Sequence, residues 1–509
     1  MPIKAYDWLR YHRKRSPKKL AAIELHGDKR FTYEELDQRV SRLAMALKET
    51  LNVDRGDRVA ILAPNTIHVF ELQFACVKLG AIMVPVNWRL AVPELEYILN
   101  DCAPKALIYD LEFADEAEAL KEDCAIEFAI ALDGESSDSE YEFLIAKASG
   151  EADAVDATHD DLMTIMYTSG TTGHPKGAMI TNGMTFWNAI NLGMLTDLTQ
   201  HAVHLGILPT FHTAGLNCYA NPVFHAGGTV AYMRNFDPGQ CLRLLADPKY
   251  GFSHFFGVPA NYLFISQHPE FEETELSHLK MCGVGGAPCA VTILETYGRK
   301  GVQLSQGFGM TETSPTVMAL DPADGVRKQG SVGIPVLHNE ARLVDEHGRE
   351  IETPDTVGEL WCKGPNITPG YWNNPEATAE SITDGWLHTG DAARFDEDGF
   401  FYIVDRWKDM FISGGENVYP AEVESVLFQL DGVADAAVVG LPDDRWGEVG
   451  CAIVVAETGK ELSEADVLKH FDNRLARYKI PKHVRFISEL PRNATGKVLK
   501  RVLREQFTV

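Results

Sequence analysis

The run Tyr167-Thr168-Ser169-Gly170-Thr171-Thr172-Gly173-His174-Pro175-Lys176-Gly177-Ala178 packs four Ser/Thr hydroxyls, three glycines and one lysine into a short span. The segment Met163–Met166 before it is mainly apolar, so the chain leaves a strand and enters a loop dense in glycine and hydroxyls. The backbone N–H groups of such a loop, its hydroxyls and the Lys176 ammonium make a donor set suited to phosphate oxygens. It is not a Walker loop, because the GxxxxGK[ST] spacing is not met. A plain surface turn would not require this density of hydroxyl and glycine.

Outward from the loop, the chain alternates strands and helices. Thr32 caps a helix expected over Tyr33–Thr50, with Glu35 completing a capping box and Phe31 stapling onto Leu36. Leu36, Val40, Leu43, Ala44 and Leu47 recur on one face of that helix. A strand at Asp57–Leu62, a helix through Val69–Leu79 and a strand at Ala81–Val86 follow, the pattern of a parallel α/β layer. After about residue 340 the texture turns to short strands (Ala341–Val344, Gly358–Lys363, Phe400–Val404) divided by Gly, Pro and Asp turns. From Arg406 a compact α+β unit is expected, with strands Val433–Gly440 and Cys451–Glu457 and a helix Ser463–Arg474. The fold class is therefore α/β: a large N-terminal domain (1–405) of layered α/β subdomains plus a small β-rich subdomain. A small mobile α+β C-terminal domain (406–509) follows, with a hinge about 405–409.

The 509 residues exceed one ordinary core, and 45% hydrophobic with 24% charged residues is the composition of a soluble globular protein. The longest charge-free stretch, Thr213–Met233, holds Asn217, Asn221, Pro222, His225 and three glycines, so no transmembrane segment is expected. The basic, apolar-poor opening Met1–Lys19 argues against secretion. Nine scattered cysteines without a CxxC pair fit a reducing cytoplasm. His201, His204 and His212 match no zinc-ligand spacing. A net charge of −26 argues against nucleic acid as a partner. Residues 406–509 carry only −1 of it, and Arg474–Arg504 holds ten basic residues against Glu489. That stretch is either a solvated helical face or a patch that meets polyphosphate.

Four further stretches carry chemistry in the same order along the chain. Gln306-Gly307-Phe308-Gly309-Met310-Thr311-Glu312 ends a Gly-rich turn on a hard oxygen ligand suited to Mg²⁺, which takes one or two carboxylates plus phosphate oxygens. Trp386-Leu387-His388-Thr389-Gly390-Asp391 places a carboxylate on a tight turn. Asp405-Arg406-Trp407-Lys408-Asp409 lies at the expected hinge, and Pro491-Arg492-Asn493-Ala494-Thr495-Gly496-Lys497 forms a loop in the basic tail. Together with the 167–178 run, these resemble the ordered motifs of the adenylate-forming superfamily of acyl-CoA synthetases, peptide-synthetase adenylation domains and firefly-type luciferases. The similarity covers nearly the whole chain.

The resemblance implies ATP, Mg²⁺ and coenzyme A as co-substrates and cofactor, with a small carboxylic acid as partner. It places Thr168, Ser169, Gly170, Thr171, Thr172, Gly173 and Lys176 on the phosphates. Gly285, Gly286, Ala287 and Pro288, with Gln306, Gly307, Phe308, Gly309 and Thr311, border the adenine. Glu312 is the Mg²⁺ ligand and Asp391 the ribose acceptor. Arg406 is either a ribose or phosphate contact or a boundary ion pair, and Lys408 stands beside it at the hinge. Lys497 is the catalytic lysine that contacts the carboxylate and α-phosphate. Ser413-Gly414-Gly415-Glu416-Asn417 resembles the loop lining the thiol tunnel, where Gly414 and Gly415 admit the pantetheine arm.

Amino-acid-activating members typically carry Asp after the Phe in Leu208-Pro209-Thr210-Phe211-His212; here His212 stands there, which resembles 4-coumarate and fatty acyl-CoA ligases and disfavours an amino acid. Small residues in Cys282-Gly283-Val284-Gly285-Gly286-Ala287-Pro288 suggest room for a bulky acyl group, aliphatic or aromatic (cinnamate or ferulate type). Phe308 replaces the family's common tyrosine. Ile412 and Gly414 stand where plant-type 4-coumarate ligases carry lysines. Two rivals remain: a light-emitting relative, disfavoured by the ending Gln506-Phe507-Thr508-Val509, and an adenylate-forming subunit or binder that never uses coenzyme A. The chain is expected in the cytoplasm, as a monomer or a homodimer.

Overall fold

The computed structural model describes residues 2–132, 139–168, 175–287, 289–413, 416–443, 445–457, 459–460, 462–472, 474–492 and 498–508. Helix Tyr33–Thr50 begins at Thr32, whose side chain accepts from Glu35 N while Glu35 reaches back to Thr32 N, so the capping box forms as expected. Phe31 packs against the core that contains Leu36. Helix His68–Leu79 is buried on nearly every side, because it lies in a core shared with strands of two different sheets. That position forces its polar residues to find partners. Glu71 binds Arg39 and His68, and Lys78 binds Asp7 and, at 2.9 Å, Asp37. Losing one partner of such a buried set costs about 3–5 kcal/mol.

The packing divides the chain into two compact units, one of residues 1–341 and 362–387 and one of 342–361 and 388–509. The first holds two large sheets. One runs Phe128–Leu132, Ala106–Asp110, Arg58–Leu62, Ile82–Pro85, Leu162–Thr168 and Lys176–Thr181, parallel except for its last strand. The other has nine strands, whose parallel body includes Leu304–Gly309, Met281–Val284, His254–Gly257, Val203–Gly206 and Thr229–Tyr232. The α/β alternation seen in the sequence is thus the architecture, and the ends of these strands carry the candidate site.

The second unit contains the β-rich strands and the tail. Trp386–Phe395 and Phe401–Arg406 pair antiparallel, and in the tail the long hairpin Val433–Asp443/Gly447–Ala456 is joined by Phe411–Ser413, Glu416–Val418 and His483–Phe486. Within this unit the strands of 342–361 and 388–406 are grouped with the tail. The helix expected over Ser463–Arg474 ends at His470. There Phe471 turns fully into the tail core, and the N–H groups of Phe471, Asp472 and Arg474 bond three residues back. Among the described residues no helix is long and apolar enough to cross a membrane.

Candidate functional site

Strand Leu162–Thr168 and its return Lys176–Thr181 put Thr168 directly opposite Lys176, with the Thr168 hydroxyl 3.4 Å from the Lys176 carbonyl. The loop thus leaves from one of these residues and re-enters at the other; Ser169, Gly170, Thr171, Thr172 and Gly173 lie outside the described residues. Gly177 is required here, since a Cβ would lie 2.8 Å from the Ile165 side chain and 3.1 Å from the Tyr167 ring. The Tyr167 hydroxyl is braced on Asp101.

At the carboxyl ends of the parallel strands, Met281–Val284 opens into Gly285–Ala287 and Leu304–Gly309 into the turn Thr311–Thr313, the place where open α/β sheets bind ligands. Gly285 is buried while Gly286 (φ +80°) and Ala287 are exposed at the rim; Pro288 lies outside the described residues. Gln306 is buried, and its Nε2 finds no hydrogen-bond acceptor among the described residues, a donor suited to a ligand. Gly307 and Phe308 pair with Ala319 and Met318. Gly309 admits no side chain, because a Cβ would lie 1.9 Å from the Pro315 carbonyl oxygen.

Glu312 is 5% exposed. Its Oε1 accepts from the Tyr371 hydroxyl at 2.8 Å, and its carbonyl accepts from Thr368 N at 2.8 Å. Segment 368–372 continues alongside the Leu162–Thr168/Lys176–Thr181 hairpin: Thr368 Oγ1 donates to Met179 O, Met179 N to Gly370 O and Trp372 N to Gly177 O. The Lys176 ammonium lies 5.4 Å from the Tyr371 ring centroid. Burial, and next the Glu312 carboxylate, push the Tyr371 phenol well above its usual range, so it stays a donor. Asn366 adds support from below, donating to the Thr313 and Thr316 carbonyls at 2.6 and 2.9 Å. Among the described residues no three His, Cys, Asp or Glu side chains gather as a metal cage. A cation at Glu312 would therefore complete its shell with phosphate oxygens and water, as Mg²⁺ does.

His212 is partly buried beside Phe211, 4.7 Å between ring centroids. Burial, with Arg89 adding to it, pushes the imidazole down to about 4, so it is neutral at pH 7. Arg89 itself lies over Trp88 and Phe211. At Gly283 and Gly285 the space expected from the small residues is occupied, whereas Gly286 and Ala287 are exposed. Phe256 pairs with Gly283 across neighbouring strands, and its ring fills the space: a Cβ on Gly283 would lie 2.6 Å from it and one on Gly285 3.2 Å. Tyr219 meets that ring edge-on at 5.8 Å.

In the second unit Asp391 stands opposite Arg406 in the strand pair, and Arg406 Nε lies 3.0 Å from Asp391 Oδ1. Asp391 lies inside strand Trp386–Phe395 and not on the tight turn expected from the sequence; before it Gly390 stands at φ +68°, Glu359 accepts from Gly390 N and Thr389 donates to Leu360 O. Lys408 is exposed on the turn that follows. Gly414, Gly415 and Lys497 lie outside the described residues. The basic stretch is less open than its composition suggests: Lys479, Arg492, Lys500 and Arg501 pair with Glu422, Asp435, Glu424 and Glu505, and Lys482 sits over the Trp446 ring.

Reading the sequence missed Tyr371, Thr368, Phe256 and Arg89. Gly370-Tyr371-Trp372 is a short glycine–aromatic signal, and only its contact with a carboxylate 59 residues away gives it meaning.

The AMP-binding enzyme family model matches residues 9–372, and that of the AMP-binding enzyme C-terminal domain matches residues 422–497. A feruloyl-CoA synthase of an Amycolatopsis species is 42% identical over 489 residues, 95% of this chain and 95% of its own. A long-chain-fatty-acid–CoA ligase of Mycobacterium tuberculosis is 38% identical over 507 residues, 99% of each chain. The crystal structure of ATP-bound MatB from Rhodopseudomonas palustris superposes with a TM-score of 0.90 at 34% identity, covering 99% of each chain. Because the family model runs from the first helix through the 162–181 hairpin, Glu312 and Tyr371, and full-length relatives match at this identity, the chain belongs to the AMP-binding enzyme family, in its acyl-CoA synthetase branch.

Proposed function

We propose that the chain joins a fatty or aromatic carboxylic acid to coenzyme A at the expense of ATP, through an acyl-adenylate. The observation that supports this reading is the buried Glu312 carboxylate, whose partner Tyr371 also lies beside Lys176 at the end of the Thr168–Lys176 strand pair. In the first half-reaction a carboxylate oxygen of the acid bonds to the α-phosphorus of ATP and pyrophosphate leaves. Lys176 and the loop 168–173 hold the phosphates, while Lys497 steadies the charge shared by the acid and the α-phosphate. Mg²⁺ at Glu312 would neutralise phosphate charge. Fixed charges of this kind are worth about 10²–10³ in rate each.

In the second half-reaction the thiolate of coenzyme A bonds to the acyl carbon and AMP leaves. A neutral His212 offers the acyl carbonyl a polar neighbour without a counter-ion, which suits an acid that lacks an α-amine. Gln306, Phe308 and the 285–288 rim take the adenine, and Asp391 with Arg406 the ribose. A hinge at 405–409, with residues 406–509 swinging against 1–405, would exchange Lys497 for the Gly414–Gly415 loop between the two steps. Nine free cysteines, all buried, support a reducing cytoplasmic setting.

The test supplies ATP, Mg²⁺ and a panel of aliphatic and cinnamate-type acids with either coenzyme A or hydroxylamine. Thioester and AMP are the expected products. Hydroxamate without thioester would reduce the protein to an adenylating enzyme, and neither product from any acid would refute the proposal.

A further inference from the structure

Tyr371 occupies a place that the activity alone does not explain. It stands between two opposite charges, its hydroxyl 2.8 Å from Glu312 Oε1 and its ring 5.4 Å below the Lys176 ammonium. Its backbone is held from both sides. Tyr371 bridges to Ala178 on the hairpin, and its N–H donates to Thr378 Oγ1 at 2.9 Å. Trp372 N donates to Gly177 O at 2.8 Å. Gly370, at φ +141°, lies so close to Thr378 that a Cβ would meet its methyl at 2.4 Å. The ring packs with Ala178 and Ala377 and is 9% exposed, so it has little freedom to swing away.

We infer that Tyr371 is a positioning residue, a spacer that keeps Lys176 from collapsing onto Glu312 and so reserves the carboxylate for a divalent cation and the ammonium for phosphate. This rests on the reading of Glu312 as a cation ligand and Lys176 as a phosphate ligand. The physical reason is that a lysine and a glutamate facing each other in a half-dry cleft form an ion pair, since their attraction grows as water is excluded. Such a pair would have to be broken each time metal and nucleotide bind. An aromatic ring avoids this, because its face attracts the ammonium while its hydroxyl satisfies one carboxylate oxygen. The ring is thereby a partner to both charges.

The experiment measures Mn²⁺ affinity by electron paramagnetic resonance on the full chain saturated with α,β-methylene ATP. Tyr371→Phe keeps the ring and loses the hydrogen bond, and its Mn²⁺ dissociation constant should rise about tenfold. Tyr371→Leu removes the spacer as well and should weaken Mn²⁺ by about a further tenfold. In a Lys176→Met background the collapse has no cation to drive it, so the penalty of Tyr371→Leu should shrink to that of Tyr371→Phe. Equal penalties in both backgrounds, or wild-type affinity in Tyr371→Leu, overturn the spacer. Glu312→Gln separates the two levels. Loss of Mn²⁺ in Glu312→Gln with an unaffected Tyr371→Leu overturns the spacer alone, whereas retained affinity in Glu312→Gln overturns the reading of Glu312 and the spacer with it.

Discussion

Replacing His212 by Asn should flatten the acid side of the stability curve. The His212 imidazole is held down to about 4 by burial and by Arg89, against about 6.5 in an unfolded chain. Between those two values the unfolded chain binds a proton that the folded protein does not. Stability therefore rises with pH across the window, is complete above the unfolded value and is lost as pH falls through the folded one. The full difference corresponds to about 3 kcal/mol, of which about 2 kcal/mol is lost on going from pH 7 to pH 5. Urea unfolding of wild type and His212→Asn, each at pH 7 and pH 5, isolates the contribution, because the other histidines cancel in the comparison. His204 and His225, held at about 3 and about 4 by burial, add to the acid sensitivity of both proteins alike. The wild type should lose about 2 kcal/mol more than the variant over this range. The same loss in both proteins would refute a His212 held neutral by the fold, and with it the view that the acyl carbonyl meets an uncharged imidazole.

Four other outcomes are expected. Gly309→Ala forces a Cβ to within 1.9 Å of the Pro315 carbonyl, so the Thr311–Thr313 turn must shift; adenylation should fall sharply, with about 1–3 kcal/mol of lost stability by urea titration. Phe256→Ala should empty the space above Gly283 and Gly285 and raise kcat/KM for the bulkiest acids relative to the smallest, and unchanged ratios across an acid panel would remove Phe256 from the pocket wall. Lys497→Ala should lower adenylation by about 10²–10³ while thioester still forms from synthetic acyl-adenylate; equal loss in both steps would contradict its assigned role. Lys408→Pro fixes φ at the proposed hinge, so acyl-adenylate should accumulate in a single-turnover quench, and undiminished turnover would argue against rotation about this point.

What could be read from the chain alone was local. The Thr32–Glu35 capping box involves residues three apart, and the strand leading into Tyr167 is written in the mainly apolar run Met163–Met166; both stand in the fold because short-range sterics and hydrogen bonds dictate them. The α/β class followed from the same short-range alternation, and the ordered motifs indicated adenylation chemistry. Tertiary structure decided what those residues meet. Gly283 and Gly285 suggested open space, but strand register brings the Phe256 ring over them. Arg406 was left open as a ribose or phosphate contact or a boundary ion pair, and antiparallel pairing sets it against Asp391. The strands of 342–361 and 388–406 pack with the tail, although nothing in their own composition says so. Glu312 was legible as a carboxylate after a Gly-rich turn, whereas its tie through Tyr371 to Lys176 was not. Such contacts arise when separate segments share one buried volume, and excluded volume and charge satisfaction across that volume leave no mark in the neighbouring sequence.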